Sequence, residues 1–500
     1  MRLLRCVLLT LFAVSLAGCQ RAERYGPQIL TDNPAKKSVE NETAKKTDRQ
    51  PLDPEIQWID VDHPPKPDVV IDFVHAEKTP QAWNKLPKFW NPPPLAKPDE
   101  AAALIGMPAL TAGALAGSST SNAVRIKVPL GLPDPREYTP AGEDLTLGKW
   151  KLGQQLFFDS TWLEAKPGAS CATCHRPDHG FADHEGYHRD SFNAPTLVNC
   201  VFNRWQFWDG RVARLEEVIQ RTLEDERESN EPQPFRHVWG GVIHRLRKKA
   251  NYHEQFNNVF GTPSSQEDGK EKANITQDTV GRAIACYLRT ILSGDSIHDR
   301  ALREQAGKQS PALKAEHYEA VLDDAALTEL GRDKAKKSEV AGELERGYRL
   351  FYGRDENRPL VNCYRCHSGR TFTDNEFHNL GIGHASPAGQ EGGRFAHVPI
   401  GQKNRYLIDA YKTPTLRSLL RTGPYFHNGS ETNLSTVVKP FYNNGARSNV
   451  HLDPELRGPD GKTRELNLTD AEADALTLFL RALNGRDVDA ALVPPKTSSP

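Results

Sequence analysis

Methionine is almost missing from this chain: Met1 and Met107 are the only two in 500 residues. After residue 107, no function can draw on a thioether side chain. An excess of one charge is missing as well. The 64 basic and 65 acidic residues leave a net charge of −1, which gives no footprint for nucleic acid. Long apolar runs are absent beyond the stretch from Val7 to Leu16, and that stretch is too short for a stable membrane span. Strand-like alternation is scarce, so the fold is expected to be mainly α. At about 150 residues per domain, the length suggests two to four domains.

Against these absences stand two short strings. Ser170-Cys171-Ala172-Thr173-Cys174-His175 is echoed by Asn362-Cys363-Tyr364-Arg365-Cys366-His367. CxxCH is the attachment signature of a c-type haem. Two thiols at this spacing can form thioethers with the two haem vinyl groups. The following imidazole then lies under the iron as proximal ligand, and the second axial position is left for the rest of the chain. CxxC also serves zinc knuckles and redox dithiols. However, a zinc site wants a second ligand pair close by, and a dithiol gains nothing from the adjacent His. Two intact copies therefore point to two covalent haems, through Cys171, Cys174 and His175 and through Cys363, Cys366 and His367.

The amino terminus carries Arg2 and Arg5, then the apolar run, then Leu16-Ala17-Gly18-Cys19, the pattern of a secretory signal. Its ending resembles a bacterial lipoprotein cleavage box, which implies that Cys19 becomes the lipidated first residue, held stably by several acyl chains. The alternative is a plain secretory signal with an incidental cysteine. Gln20, rather than Asp, after the cysteine implies by the same resemblance the outer membrane. Haem attachment at CxxCH is also extracytoplasmic in bacteria, so the expected location is the periplasm, on a lipid anchor. Of the eight cysteines, Cys200 and Cys286 remain unassigned, as a bridge or as two buried thiols.

The expected organisation is a signal at 1–18 and a Pro-rich extension at 19–140, with aromatics that strap it to the body. A first haem domain then covers 141–306, a helical connector 307–340, a second haem domain 341–486 and a tail 487–500. An internal repeat supports two related units. Gly153-x-x-Leu156-Phe157-Phe158 precedes the first haem motif and Gly347-x-x-Leu350-Phe351-Tyr352 the second, at nearly the same offset. Val280, Ile284, Tyr287 and Ile291 fall at helical spacing. Thr469-x-x-Glu472 is a capping box opening a helix with Leu476, Leu480 and Leu483 on its buried stripe.

Four further strings carry a resemblance. They are Asn193-Ala-Pro-Thr-Leu197, Phe207-Trp-Asp-Gly-Arg211, Phe372-Thr-Asp-Asn-Glu-Phe-His-Asn379, and Thr413-Pro-Thr-Leu-Arg417 leading to Gly423-Pro-Tyr-Phe-His-Asn-Gly429. Taken with the haem motifs, the chain from about 144 to 485 resembles the bacterial dihaem cytochrome c peroxidase and MauG family. The resemblance implies two cytochrome c-like domains with the haems near their interface. The first haem would react with hydrogen peroxide and the second would relay electrons. It also implies His175 and His367 as proximal ligands and Trp208 as the tryptophan between the haems. Asn193, Thr422 and Pro424 would hold one calcium ion, with oxygen donors suited to that hard cation. Glu228 falls on the distal acid–base group that moves a proton between the peroxide oxygens, with Glu226 or Glu224 next in line if the alignment slips. The implied partners are a small redox protein, a cytochrome c or a cupredoxin, or an oxidised protein substrate.

Three departures refine the expectation. The His that caps the first haem in resting peroxidases falls on Glu185, flanked by His184 and His188, so a MauG-like open first haem is favoured. The usual Met ligand of the relay haem cannot exist here, and its position falls at Phe441-Tyr442. Tyr442 is thus the first candidate, followed by His451 and His427. The family's distal Gln and Pro fall on Val218 and Thr222. A dihaem electron carrier with both irons six-coordinate is the alternative function, and a binding lipoprotein with vestigial haems is a further one.

Overall fold

The chain divides into two compact units, Met1–Leu52 and Asp53–Pro500. The computed structural model describes residues 70–75, 89–90, 123–163, 168–184, 192–224, 238–262, 274–308, 310–358, 360–382, 392–442, 450–458, 460, 462–488 and 492–493, all in the second unit. The described part is mainly helical. The helices used below are α1 (Leu147–Phe158), α2 (Val238–Lys248), α3 (Ala250–Phe260), α4 (Gln277–Leu288), α5 (Ile297–Gly307), α6 (Ala315–Glu319), α7 (Lys337–Phe351) and α8 (Asp470–Ala482). No helix among the described residues is long and apolar enough to cross a membrane.

Two separate cores organise these helices. The first gathers Trp150, Leu156 and Phe157 of α1 against Val280, Ile284 and Tyr287 of α4, with α2 and α3 adding Val242, Leu246, Tyr252 and Phe256. The second gathers Leu344 and Phe351 of α7 against Leu476, Phe479 and Leu480 of α8. The repeated glycines sit where each pair touches. A Cβ on Gly153 would lie 1.9 Å from the carbonyl oxygen of Ala283, and one on Gly347 would lie 2.1 Å from that of Ala475. Only glycine permits this approach, so the sequence repeat is a packing repeat. The expected capping box opens α8: Thr469 N–H donates to Glu472 Oε2 at 2.8 Å, and Glu472 N–H donates to Thr469 Oγ1 at 3.3 Å. The helix predicted around Val280 is α4, although Ile291 lies beyond its end and is buried there.

Three segments expected to lie outside the cores enter them. Strand β1 (Val70–His75) pairs in parallel with β3 (Ala123–Val128), and β2 (Phe89–Trp90) pairs antiparallel on the other side of β3. Phe73, Ile126 and Val128 belong to the first core. Farther on, the carbonyls of Gly131 and Leu132 accept from Arg417 Nη2 at 2.9 Å and Arg370 Nη1 at 3.2 Å. The extension is therefore part of the body before residue 140. The signal was the alternation Val124-Arg125-Ile126-Lys127-Val128, a period-two pattern inside a Pro-rich region. The connector hides Tyr318, Leu322, Leu327 and Leu330 in the second core, with only its polar side facing outward. In the tail, Leu492 is buried in the first core, and its carbonyl accepts from Tyr287 Oη at 2.8 Å.

Candidate haem sites and the bridge between them

Each haem motif is a tight turn followed by a histidine whose ring is aimed by the backbone. Cys171–Cys174 forms one helical turn, and His175 N–H donates to Cys171 O at 2.9 Å; in the second motif His367 N–H donates to Cys363 O, also at 2.9 Å. His175 Nδ1 lies 3.3 Å from Phe181 O, and His367 Nδ1 lies 3.0 Å from Phe372 O. Both phenylalanines take a left-handed backbone at φ 52°. An Nδ1–H held by a carbonyl fixes the tautomer and leaves Nε2 as the free donor, the arrangement a haem-iron histidine requires. Burial lowers the pKa of both imidazoles and keeps them neutral, as a ligand must be. The residues therefore fit a c-type haem at each motif.

A second layer repeats with the same fidelity. Thr196 Oγ1 donates to Gly180 O and Thr415 Oγ1 to Thr371 O, each at 2.6 Å, which pins the residue before each phenylalanine. Two residues on, the N–H groups of Val198 and Arg417 return to those same hydroxyls at 3.1 Å. Asn199 and Ser418 then turn left-handed at φ 61° and 63°. The strings Ala-Pro-Thr-Leu and Thr-Pro-Thr-Leu are thus clamps on the two histidine loops.

Trp208 ties the first loop to the second half. Its Nε1–H donates to Asn193 O at 2.7 Å, and its carbonyl accepts from Lys412 N–H at 2.7 Å. Its ring packs with Phe192 and Tyr411, and Tyr411 stacks on His427 with centroids 3.7 Å apart. The next residues of that string build its support. Asp209, buried, accepts from Arg211 Nη1 at 3.0 Å and pairs with His397 Nε2 at 3.1 Å. Burial alone would raise its pKa, but His397 and Arg211 outweigh that and hold it below the usual carboxylate range. Arg211 lies over the Phe207 ring at 3.6 Å, and Arg394 over Trp205 at 4.1 Å while donating to Gly210 O.

Beside Trp208, Asn193 N–H donates to His427 O at 2.8 Å, and its side-chain amide faces Pro424 O at 2.8 Å. Its Oδ1 is buried without a partner. An amide turned the other way would direct two oxygens into the same space, the donor set of a hard cation.

The match to a family model now has its geometry. Residues 148–307 match the di-haem cytochrome c peroxidase model. The chain is 29% identical over 352 residues to the methylamine utilization protein MauG of Methylophilus methylotrophus, covering 69% of this chain and 85% of that protein. It is 29% identical over 405 residues to the cytochrome-c peroxidase IdrP1 of Denitromonas iodatirespirans, covering 75% and 92%. It is 25% identical over 382 residues to the cytochrome c551 peroxidase of Pseudomonas aeruginosa, covering 73% and 88%. The chain belongs to the dihaem cytochrome c peroxidase and MauG family.

As a member of that family it is a dihaem, peroxidase-type oxidoreductase of mainly α fold with two cytochrome c-like domains. Its cofactors are two c-type haems, and peroxide and a redox protein are its general partners. Glu228 and Cys19 fall outside the described residues, as do Glu185, His188 and Glu226. Tyr442 closes a helical segment, Val437–Tyr442, and its side chain is outside the description. Glu224 is on a partly exposed helix face, accepting from Gln220 at 3.2 Å. His184 Nε2 meets Arg176 at 2.7 Å. His451 is half-buried. Cys200 and Cys286 are free, buried thiols, which settles that alternative against a bridge.

Sequence reasoning missed the buried pair of Arg417 and Asp299, bonded at 2.8 and 2.9 Å. It also missed His378, whose Nδ1 meets Asp453 at 2.7 Å and whose Nε2 meets Asp374 at 3.0 Å. Cys366, Asp374 and His378 offer donor atoms within 4.8 Å of one another. With Cys366 given to haem and both imidazole nitrogens engaged, this trio is a hydrogen-bonded brace and not a metal centre. The signal for His378 was Asp374, four residues before it in the same string.

Proposed function

We propose that this protein is a periplasmic, lipid-anchored enzyme whose first haem site reacts with hydrogen peroxide and whose second relays electrons from a redox protein. What carries the reading is Trp208, held at one end by the loop of the first histidine and at the other by strand β4 (Tyr411–Lys412) of the second half. Cys171, Cys174 and His175 hold the first haem, and Cys363, Cys366 and His367 the second. Bound there, haem supplies the redox-active iron for peroxide and electron-transfer chemistry.

The chain's own residues do the rest. The carbonyls of Phe181 and Phe372 keep each Nδ1 protonated and each ring in place. Glu228 takes a proton from one peroxide oxygen and returns it to the other. Trp208 offers an indole between the two sites and shortens the gap an electron must cross. Tyr442 would be the further protein ligand that holds the relay haem, with His451 and His427 as alternatives. A phenolate there is a hard, anionic donor that lowers the reduction potential, where Met would raise it. Asn193, Thr422 and Pro424 hold one calcium ion, and the unpartnered Asn193 Oδ1 supports this. Cys19 carries the anchor, and the expected ranges 141–306 and 341–486 are the two haem domains.

The test is the ferric and ferrous spectrum of the holoprotein with and without carbon monoxide or peroxide. A first haem that is high-spin or binds carbon monoxide, and that responds to peroxide, is the expected result. Two low-spin haems inert to peroxide would instead make the protein an electron carrier.

A further inference from the structure

Behind the second haem motif, apart from the Trp208 bridge, tyrosines surround one buried histidine. Tyr364 lies between the two cysteines of the motif, and its ring stacks on Tyr352 at 4.6 Å and 29°. Tyr352 meets Tyr348 at 4.7 Å. Their rings lie 6.3 and 5.8 Å from His298, which stacks on Tyr318 at 6.2 Å and 24°. His298 Nδ1 and Tyr318 Oη are 2.9 Å apart, and both residues are 0% exposed.

The proton in that bond can be placed. His298 Nε2 is buried without a partner. If the phenol donates to Nδ1, the Nε2–H is the one unmet group. The reverse arrangement leaves both the phenol proton and the Nε2 lone pair unmet, and each unmet buried group adds a desolvation cost. The phenol therefore donates to an unprotonated Nδ1. Burial also holds the pKa of His298 down to about 4, so the ring is neutral.

The neighbouring tyrosines differ. Tyr348 Oη accepts from Arg354, whose guanidinium carbon lies 5.4 Å from the Tyr348 ring and 5.5 Å from that of Tyr352. A fixed cation disfavours positive charge on those two rings. Tyr364 Oη accepts from Gly369 N–H. Among the described contacts, Tyr318 is the tyrosine of this cluster whose hydroxyl meets a base.

We propose that Tyr318 and His298 form a redox-active tyrosine site that stores an oxidising equivalent drawn from the second haem site along Tyr364, Tyr352 and Tyr348. The proposal rests on the peroxide reading above. Tyr318 gives up one electron and one proton. Its O–H bond breaks, the proton forms an N–H bond at His298 Nδ1, and the electron passes along the tyrosine rings to the haem site, where it consumes one peroxide-derived oxidising equivalent. When the redox partner supplies an electron, that electron reduces Tyr318, the proton returns and the phenol is restored. The site keeps an equivalent inside the second core while no donor is docked, away from Trp208.

The test is freeze-quench electron paramagnetic resonance of the full holoprotein mixed with peroxide and no donor, with ring-deuterated tyrosine as the label. A tyrosyl signal that narrows on deuteration and is lost in Tyr318→Phe is expected. His298→Phe, which keeps the phenol but removes its base, should lose most of the signal with haem content unchanged. A signal unchanged in Tyr318→Phe, one carried by tryptophan, or no protein radical at all would overturn the proposal. The same variants are oxidised with flash-generated tris(bipyridine)ruthenium(III) in place of peroxide. If peroxide leaves the haem spectra unaltered, the functional reading fails, and the ruthenium experiment alone then decides for or against Tyr318.

Discussion

The two histidine loops are built alike but backed differently. In each, a Thr hydroxyl clamps the carbonyl before a left-handed Phe, and that Phe holds the imidazole. The residue after the clamp's leucine is where they part. In the first half it is Val198, which joins an apolar core. In the second it is Arg417, fully buried, whose guanidinium reaches Asp299, Gly131 O and Arg370 O. Behind its clamp the first loop packs into an apolar core, while the second is pinned by a charge network that also gathers the chain before residue 140. Against the second core lies a buried imidazole, His298, ringed by Tyr318, Tyr348 and Tyr352, whereas the first core holds two free thiols, Cys200 and Cys286. The shared scaffold aims the two histidines alike, and the two sites differ in what stands behind it.

The sharpest way to break this comparison is to remove the charge. Arg417→Met leaves Asp299 buried and unpaired, which should cost about 3–5 kcal/mol. Val198→Ala in the first loop removes two carbons' worth of apolar burial and should cost about 2 kcal/mol or less. Denaturant unfolding of the holoprotein measures both. The pH dependence carries a sign. Burial raises the Asp299 pKa, but Arg417 outweighs it and holds the carboxyl below its usual range. Stability from the pair is therefore present above the unfolded carboxylate pKa of about 4 and is lost as pH falls through the lower folded value. The deficit of Arg417→Met should shrink in acid. Equal costs for the two variants at neutral pH would mean that the two loops are backed alike after all.

Much of this was legible in the sequence, and the gaps have physical reasons. The haem motifs, the repeated glycines and the capping box are local, so spacing alone exposes them. The histidine-to-phenylalanine bonds were not legible, because they depend on a left-handed turn several residues past each motif. Arg417 looked like the end of a motif string, and nothing in its neighbours announced a partner at Asp299. The connector read as polar because its outward residues outnumber the ones it buries. Tyr318 and Leu322 show their role only once α6 is packed against α7.

The next expected effect concerns the chemistry assigned to one half. Glu228→Gln should leave both haems attached and slow peroxide turnover by about 10² or more, the worth of a positioned acid–base group. Steady-state peroxide consumption against haem content measures it. Wild-type turnover would move the role to Glu226 or Glu224.

A smaller effect should separate the haems electrically. Tyr442→Phe is expected to change the ferric spectrum and raise one of the two midpoint potentials in a spectroelectrochemical titration, leaving peroxide binding at the other haem intact. Should the spectrum stay unchanged while His451→Ala or His427→Ala alters it, the second site has two histidine ligands.

The smallest effect tests the scaffold itself. Thr196→Val and Thr415→Val each remove a hydroxyl that donates to one carbonyl and accepts from one amide. Each leaves buried polar groups unmet, a cost of about 1–3 kcal/mol. The clamped carbonyls belong to Gly180 and Thr371, next to the residues that hold His175 and His367. Each variant should therefore loosen one imidazole and perturb one haem's spectrum, with similar losses of stability for the two. Serine at either position keeps the hydroxyl and should restore the spectrum. If Thr415→Val costs markedly less than Thr196→Val, the Arg417 network holds the second loop without its clamp, and the two loops then share geometry but not the forces that maintain it.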